Sequence, residues 1–368
     1  MNELNLDPGK ALDLAKDSLP DEVIRLTDFH LYSARLPVCS SKQFFSFIIS
    51  DLFQVKRKIV EFLQPKIELA PPSIWQPTPR SKLDPMVYNT TDYRDVSISC
   101  LSDSKIYKFS SPRSDPPQFA IGITSLDIGK VAAARLAASV SSITREGYQV
   151  NLESWLKTAK HGAGCTFFEV SQTDLDFQQG QVITFIRDYC EAQEIFSYPR
   201  YARAFAEDVE IVIWLNKIDI NCFGAGFLDI NAYATGIHRE EFTLAYGTCR
   251  KAQHLYSLGF TWIAYPKHHP GIDSGRIDKL KFGLGGAASE AQGTLTKGAT
   301  FKKAFKKPPQ VWLALSGMNV NLAGDNLRLR AQVVRDSITT IGFNYEVISW
   351  GKNMLETVSL YWLAVELD

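Results

Sequence analysis

Two rhythms of apolar residues divide the chain. Between Phe45 and Phe62 the apolar positions Phe45, Ile48, Leu52, Val55, Ile59 and Phe62 recur in steps of three and four. That is the spacing of one helix face, with Ser40 or Ser41 as a cap before it and Pro65 as a stop after it. A proline-rich stretch (Pro71, Pro72, Pro77, Pro79) follows and reads as an extended linker. The helix reads as packed on its own domain; three heptads barely reach coiled-coil length, although assembly through this segment stays open. After residue 85 the rhythm shortens to alternation, as in QVWLALSG from Gln310, LRLRAQVVRDS from Leu327, NYEVISW from Asn344 and TVSLYWLAVEL from Thr357. Val, Ile, Tyr, Trp and Thr are frequent and long amphipathic helices are absent, which predicts antiparallel β-sandwiches.

The alternating region repeats itself three times. Copy one opens with PPQFAIGITSLDI from Pro116, copy two with EIVIWLNKIDI from Glu210, and copy three with PPQVWLALSGMNV from Pro308. Asp127, Asp219 and Asn319 fall in one column, 92 and 100 positions apart, and Phe109, Phe205 and Phe305 precede the opening strands. Further columns hold Gly147-Tyr148, Glu241-Phe242 and Gly342-Phe343, then Ser154-Trp155, Thr248-Cys249 and Ser349-Trp350. The copies close with a strand containing Trp262 or Trp362, or CTFFEV from Cys165. Trp262 and Trp362 read as core residues. Repetition at a fixed period marks tandem copies of one structural unit.

This succession of motifs, with Asn326-Leu-Arg328 between the first and second groups, resembles the H-type lectin domain, the family of snail agglutinins and of the discoidin C-terminal domain. Copy three matches over nearly its whole length, copy one over 105–170, and 1–80 not at all. The resemblance implies a mainly β chain of three tandem six-stranded antiparallel β-sandwiches behind a partly helical N-terminal segment. The expected divisions are 1–80, 81–170, 171–268 and 269–368. Family members assemble as trimers, with a site for galactose-type sugars, N-acetylgalactosamine above all, near the subunit interface. Three copies in one chain would therefore close an intramolecular pseudo-trimer.

Carried over by resemblance, the family's site arginine falls on Arg135 in copy one. In copy three it falls on Arg328, or on Arg330 if the strand is aligned without a gap. The site tryptophan falls on Trp155 and Trp350. The tyrosine that follows it is replaced by His161 and Glu356, and Asn326 belongs to the N-L-R match. Copy two has Asp229 for the arginine and Cys249 for the tryptophan but keeps Tyr256, so it is expected to be structural. The glycine and aspartate that the neighbouring subunit supplies in the family have no assignable counterpart. These residue types suit a neutral sugar: an aromatic plane meets its C–H face, and the oriented donors of an arginine meet its hydroxyls. The tryptophans and arginines also admit a plainer reading as rim, core or solvated strand residues.

Composition narrows the classes. Forty Lys plus Arg balance forty Asp plus Glu, which argues against a phosphate-neutralising nucleic-acid binder. The densest apolar stretch, 44–63, is broken by Asp51, Lys56, Arg57, Lys58 and Glu61 and is no membrane span. No signal-peptide core is visible, so a cytoplasmic protein is expected, with release to act on extracellular glycans left open. Six cysteines (Cys39, Cys100, Cys165, Cys190, Cys222, Cys249) form no CxxC pair. The glycine-rich 283–288 stretch lacks a βαβ setting, and the neighbouring His268 and His269 read as loop. No catalytic motif appears, so no enzyme, cofactor or metal is expected. The expected function is a multivalent lectin for galactose- or N-acetylgalactosamine-terminated glycans; the alternative is a structural or interaction scaffold built from sugar-inactive sandwiches.

Overall fold

A strand that is apolar on both faces has to lie inside a sheet with a layer on either side. Three stretches of this chain have that character and set the architecture. The structure, a computed structural model, describes residues 87–367 except 94, 96, 131, 172–173, 175, 186–192, 224–225, 249–253, 283–292, 323 and 353. The helix expected over 45–62, the proline-rich linker, Cys39, Cys190, Cys249 and the 283–288 stretch lie outside the described residues.

Each repeat contributes six strands. Repeat 1 supplies β1 (Val87–Asn89), β2 (Ser102–Lys108), β3 (Gln118–Ile128), β4 (Ala134–Ser141), β5 (Gly147–Glu153) and β6 (Lys160–Val170). Repeat 2 supplies β7 (Gln178–Phe185), β8 (Gln193–Ser197), β9 (Val209–Asn221), β10 (Phe227–Thr235), β11 (Thr243–Thr248) and β12 (His254–Pro266). Repeat 3 supplies β13 (Ile272–Lys281), β14 (Gly293–Thr300), β15 (Gln310–Asn321), β16 (Leu327–Val334), β17 (Gly342–Ser349) and β18 (Met354–Val365).

The sheets cross the repeat boundaries. Their orders are β1-β6-β3-β16-β17-β14, β2-β5-β4-β9-β12-β7 and β13-β18-β15-β10-β11-β8, all antiparallel. Each sheet joins three strands of one repeat to three of another: β3 pairs with β16 of repeat 3, β9 with β4 of repeat 1, and β15 with β10 of repeat 2. The three pairings close a ring within the chain. The mainly β expectation holds, and the six strands of a repeat divide between two different sheets.

Within a repeat the two half-sheets face each other across an aromatic cluster. Phe305, Phe301, Phe343 and Trp362 form it in repeat 3, and Phe205, Tyr201, Phe242 and Trp262 in repeat 2. Repeat 1 uses Phe109, Phe119, Tyr148 and Phe167. Trp262 and Trp362 are core residues, 5% and 4% exposed. Gly180 and Gly275 on the neighbouring strands explain how they fit: a Cβ there would lie 2.5 and 2.6 Å from the indoles.

Between repeats, β3, β9 and β15 touch one another. Five positions before Asp127, Asp219 and Asn319 stand Gly122, Trp214 and Ala314, all in this contact. A Cβ on Gly122 would lie 2.6 Å from the Cβ atoms of both Trp214 and Ala314. One indole thus fills space that the two small residues leave. Its N–H donates to Tyr361 O at 3.2 Å, so the buried ring leaves no polar group unmet. Seven positions before the same column stand Ala120, Val212 and Trp312, again one large residue with two smaller ones, and the Trp312 N–H donates to Phe167 O at 3.1 Å. Among the described residues Cys100, Cys165 and Cys222 are free thiols, and burial pushes the Cys222 thiol up to about 12.

Trp214→Ala is expected to cost about 3–5 kcal/mol, read as a lowered denaturation midpoint at unchanged slope. Gly122→Val is expected to be worse, because its Cβ would meet two Cβ atoms fixed to backbone. A Gly122→Val chain as stable as the parent would show that the three strands do not meet in this way.

Candidate functional site

Strand register brings the candidate residues together across the repeat boundaries. Where β4 meets β9, Arg135 lies opposite Asp219; where β16 meets β3, Arg328 lies opposite Asp127; where β10 meets β15, Asp229 lies opposite Asn319. The two columns of the internal repeat, Asp/Asp/Asn and Arg/Asp/Arg, therefore face each other, always between different repeats. Arg135 Nε reaches Asp219 Oδ1 at 3.1 Å and Arg328 Nε reaches Asp127 Oδ1 at 3.2 Å. Arg330 lies opposite Ser125 and donates to Thr91 Oγ1 at 3.2 Å, so Arg328 is the counterpart of Arg135.

The tryptophans stand on the turns that follow β5 and β17. Trp155 is half-buried, donates its indole N–H to the Asp219 carboxylate, and carries the Lys217 ammonium 5.3 Å from its ring centroid. Thr158 fixes this turn to the arginine: its backbone N–H donates to Trp155 O at 3.4 Å, and its Oγ1 accepts from Arg135 Nη1 at 3.4 Å. In repeat 3, Asp325 does the same work. Its Oδ2 accepts from Arg328 Nη1 at 3.1 Å and from the Lys352 backbone N–H at 2.7 Å, so it spans the arginine and the turn beyond the half-buried Trp350. Burial opposes the charge on Asp325, but the Lys352 and Asn326 amides, Arg328 and Lys130 outweigh it and hold its carboxyl below the usual range.

The turn is left-handed in both copies: Gly351 has φ +83° and Leu156, in the same place, φ +57°. Glycine adopts the φ of 351 without strain, and a Cβ there would lie 2.2 Å from Arg328 Nη1, so any other residue would push the guanidinium aside. Asn326 ties the boundary shut from the other side, its Oδ1 accepting the Lys130 backbone N–H at 3.2 Å.

A third group enters from the partner repeat. The pairing of β3 with β6 skips His161 between the pairs Asp127↔Gly162 and Ile128↔Lys160. The same bulge recurs at Tyr256, between Asp219↔Ser257 and Ile220↔Leu255, and at Glu356, between Asn319↔Thr357 and Val320↔Leu355. A bulge re-aims its extra residue, and here it stands beside the Asp or Asn column. Tyr256 accordingly joins Arg135 and Trp155, its ring centroid 6.0 Å from the Arg135 guanidinium carbon. The bulge places His161 next to Asp127 in the register, and Arg328 lies opposite Asp127 across the boundary. Glu356 accepts from Asn319 Nδ2 at 2.8 Å, hence stands with Asp229.

Three sites of one plan result. The 1–2 site holds Arg135, Trp155, Asp219, Lys217 and Tyr256. The 3–1 site holds Arg328, Trp350, Asp127, Asp325 and His161. The 2–3 site holds Asp229, Asn319 and Glu356, with Cys249 outside the described residues. The tyrosine and its substitutes thus serve the arginine of the preceding repeat rather than that of their own. Asp127 and Asp219 were visible as a repeated column, whereas Thr158, Asp325 and Lys217 carried no signal. Among the described residues no group of three His, Cys, Asp or Glu is placed to hold a metal, and no helix is long and apolar enough to cross a membrane.

Burial pushes the Asp219 carboxyl above the usual carboxylate range, against the lowering pull of Arg135, the Trp155 N–H and Lys217. A raised folded-state value means that the associated stability is fully present below the unfolded pKa near 4 and is lost as pH rises through the folded value. The parent chain should therefore gain stability relative to Asp219→Asn as pH is lowered from 7 to 4. Denaturation of both proteins across that range checks this; a gap that moves the other way would mean that the ion pair prevails over burial.

The model of the H-type lectin domain family matches 104–168, 200–265 and 296–365, together more than half of the chain and one match per repeat. Comparison with curated proteins and with solved structures gives no match. With the family's sandwich present three times and its motif residues gathered at the repeat boundaries, the chain belongs to the H-type lectin domain family.

Proposed function

We propose that the chain is a carbohydrate-binding lectin for galactose- and N-acetylgalactosamine-type glycans, with the 1–2 and 3–1 sites binding and the 2–3 site structural. The observation that carries this reading is the recurrence, at two boundaries of the ring, of an arginine–aspartate pair with a half-buried tryptophan on the adjoining turn, in a chain that belongs to a lectin-domain family. The ion pair holds the guanidinium flat and oriented, so its remaining N–H groups can donate to a sugar hydroxyl while the carboxylate accepts from one. The indole supplies the apolar plane. Each net hydrogen bond is worth about 1 kcal/mol, so one site binds weakly and two sites on one rigid ring act together on a multivalent surface.

The scaffold alternative draws on the 2–3 site, where Asp229 faces Asn319 and the arginine is gone. One inactive boundary does not require the other two to be inactive, and the double tryptophan variant separates the readings. On a glycan array with free N-acetylgalactosamine as competitor, the parent chain should bind competably to terminal galactose or N-acetylgalactosamine. Trp155→Ala or Trp350→Ala alone should weaken binding roughly tenfold through lost stacking and avidity. The double variant should be silent with its fold intact by circular dichroism. Unchanged binding in the folded double variant, or silence of the parent chain, would contradict the proposal.

A further inference from the structure

Strands that pair over only a few residues part beyond the last pair, and the space between them is either filled by side chains or left as a cleft. β3 and β16 pair from Leu327↔Ile128 to Arg330↔Ser125 and then separate. Beyond that last pair lies a cleft of about 540 Å³, within the roughly 300–1,000 Å³ of ligand pockets. Its walls come from β1, from 308–313 at the start of β15, and from the second half of β16 with the turn after it. None of the residues of the 3–1 site lines it.

The 2–3 boundary shows the same frame filled. There β10 and β15 pair as far as Asn231↔Gly317. Thr166 lies opposite Gly122 and Tyr361 opposite Ala314, so Tyr361 takes the register place of Thr166. Val87 lies opposite Thr166 and Arg276 opposite Tyr361, so Arg276 takes the place of Val87. The Arg276 guanidinium carbon lies 5.8 Å from the Tyr361 ring centroid and 4.9 Å from that of Tyr233. The Tyr361 hydroxyl accepts the Ala234 backbone N–H at 3.5 Å. Two long side chains thus occupy at the 2–3 boundary what Thr166 and Val87 leave open at the 3–1 boundary.

The cleft is apolar along its walls and cationic in charge. Val311, Val333, Ile338 and Leu367 line it as partly exposed aliphatic side chains packed on the core. Arg330 and Arg335 line it as well, and none of its lining residues is acidic. The nearest carboxylates in chain and register stand elsewhere: Glu346 accepts from Gln332 Nε2 at 2.9 Å, Asp92 accepts from the Thr91 hydroxyl at 3.4 Å, and Asp336 follows Arg335. Among the described residues Arg330 makes no ion pair; its Nη2 donates to Thr91 Oγ1 at 3.2 Å, and its Nε is buried without an acceptor. A buried guanidinium N–H with no acceptor is costly, and a carboxylate meets it better than a neutral oxygen does. We infer that this cleft binds an aliphatic carboxylate, with the chain along the aliphatic wall and the head group on Arg330. The ligand is distinct from the sugar, and the inference does not depend on the lectin reading.

The test titrates the full chain at pH 7 with octanoate and with octanol, an uncharged control of the same chain length, by ligand-observed NMR or calorimetry. Octanoate should bind saturably and roughly tenfold tighter than octanol, the size of one charge-assisted hydrogen bond. Arg330→Gln should bring that ratio toward one, and Arg330→Lys should keep most of it. Thr166→Tyr, which copies Tyr361 of the filled boundary, should abolish octanoate binding with the fold intact by circular dichroism. If that variant does not fold, Ile338→Glu, at a partly exposed wall position, should give the same loss. Absence of saturable octanoate binding, octanol bound as tightly as octanoate, a preference that survives Arg330→Gln, or undiminished binding in the folded Thr166→Tyr or Ile338→Glu chain would each overturn the inference.

Discussion

Each repeat leaves a long apolar strand with one edge unpaired, and an open edge of that kind has to be covered. β3, β9 and β15 satisfy the requirement by pairing with the fourth strand of another repeat, and only a cyclic arrangement satisfies all three at once. The faces of the same strands then meet, where Trp214 occupies the room left by Gly122 and Ala314. Three identical copies could not pack so: three glycines would leave a void and three tryptophans would not fit. The asymmetry assigns each repeat its place in the ring and favours closure within one chain over assembly from separate chains, in the way a mixed core specifies one register over others.

Edge pairing also creates the sites. Because the fourth strand of one repeat lies along the third strand of another, an arginine on the former meets an aspartate on the latter. The bulge on the last strand then turns a third side chain to the same place. None of the sites exists in a single repeat. The copies differ in side chains on one frame: two boundaries keep an arginine opposite an aspartate, and the third has Asp229 opposite Asn319, while the strand register is kept.

The repeat itself was legible in the sequence, since the Phe, Asp or Asn, Gly-Phe and Ser-Trp columns recur in fixed order, and the buried positions follow from alternation. Trp262 and Trp362 were recognisable as core for the same reason. Which strands pair was not legible: alternation records which face is buried and says nothing about the identity of the neighbour. The Asp column therefore stood apart from the Arg column until register joined them. His161, Tyr256 and Glu356 were found by their spacing from the tryptophan and so were grouped with their own repeat. Bulges displace the count by one residue, and the cyclic pairing sends those residues to the other boundary. Thr158 and Asp325, which perform the same task from different loops, share no position that a repeat comparison could reveal.

Each site belongs to a boundary between repeats. A double-mutant cycle on sugar affinity tests it most directly, with Trp155→Ala combined once with Tyr256→Ala from repeat 2 and once with His161→Ala from repeat 1. Residues of one site couple, and residues of separate sites add. Trp155 is expected to couple to Tyr256 by about 0.5 kcal/mol or more and to be additive with His161. Coupling to His161 with additivity toward Tyr256 would contradict it and return each site to a single repeat.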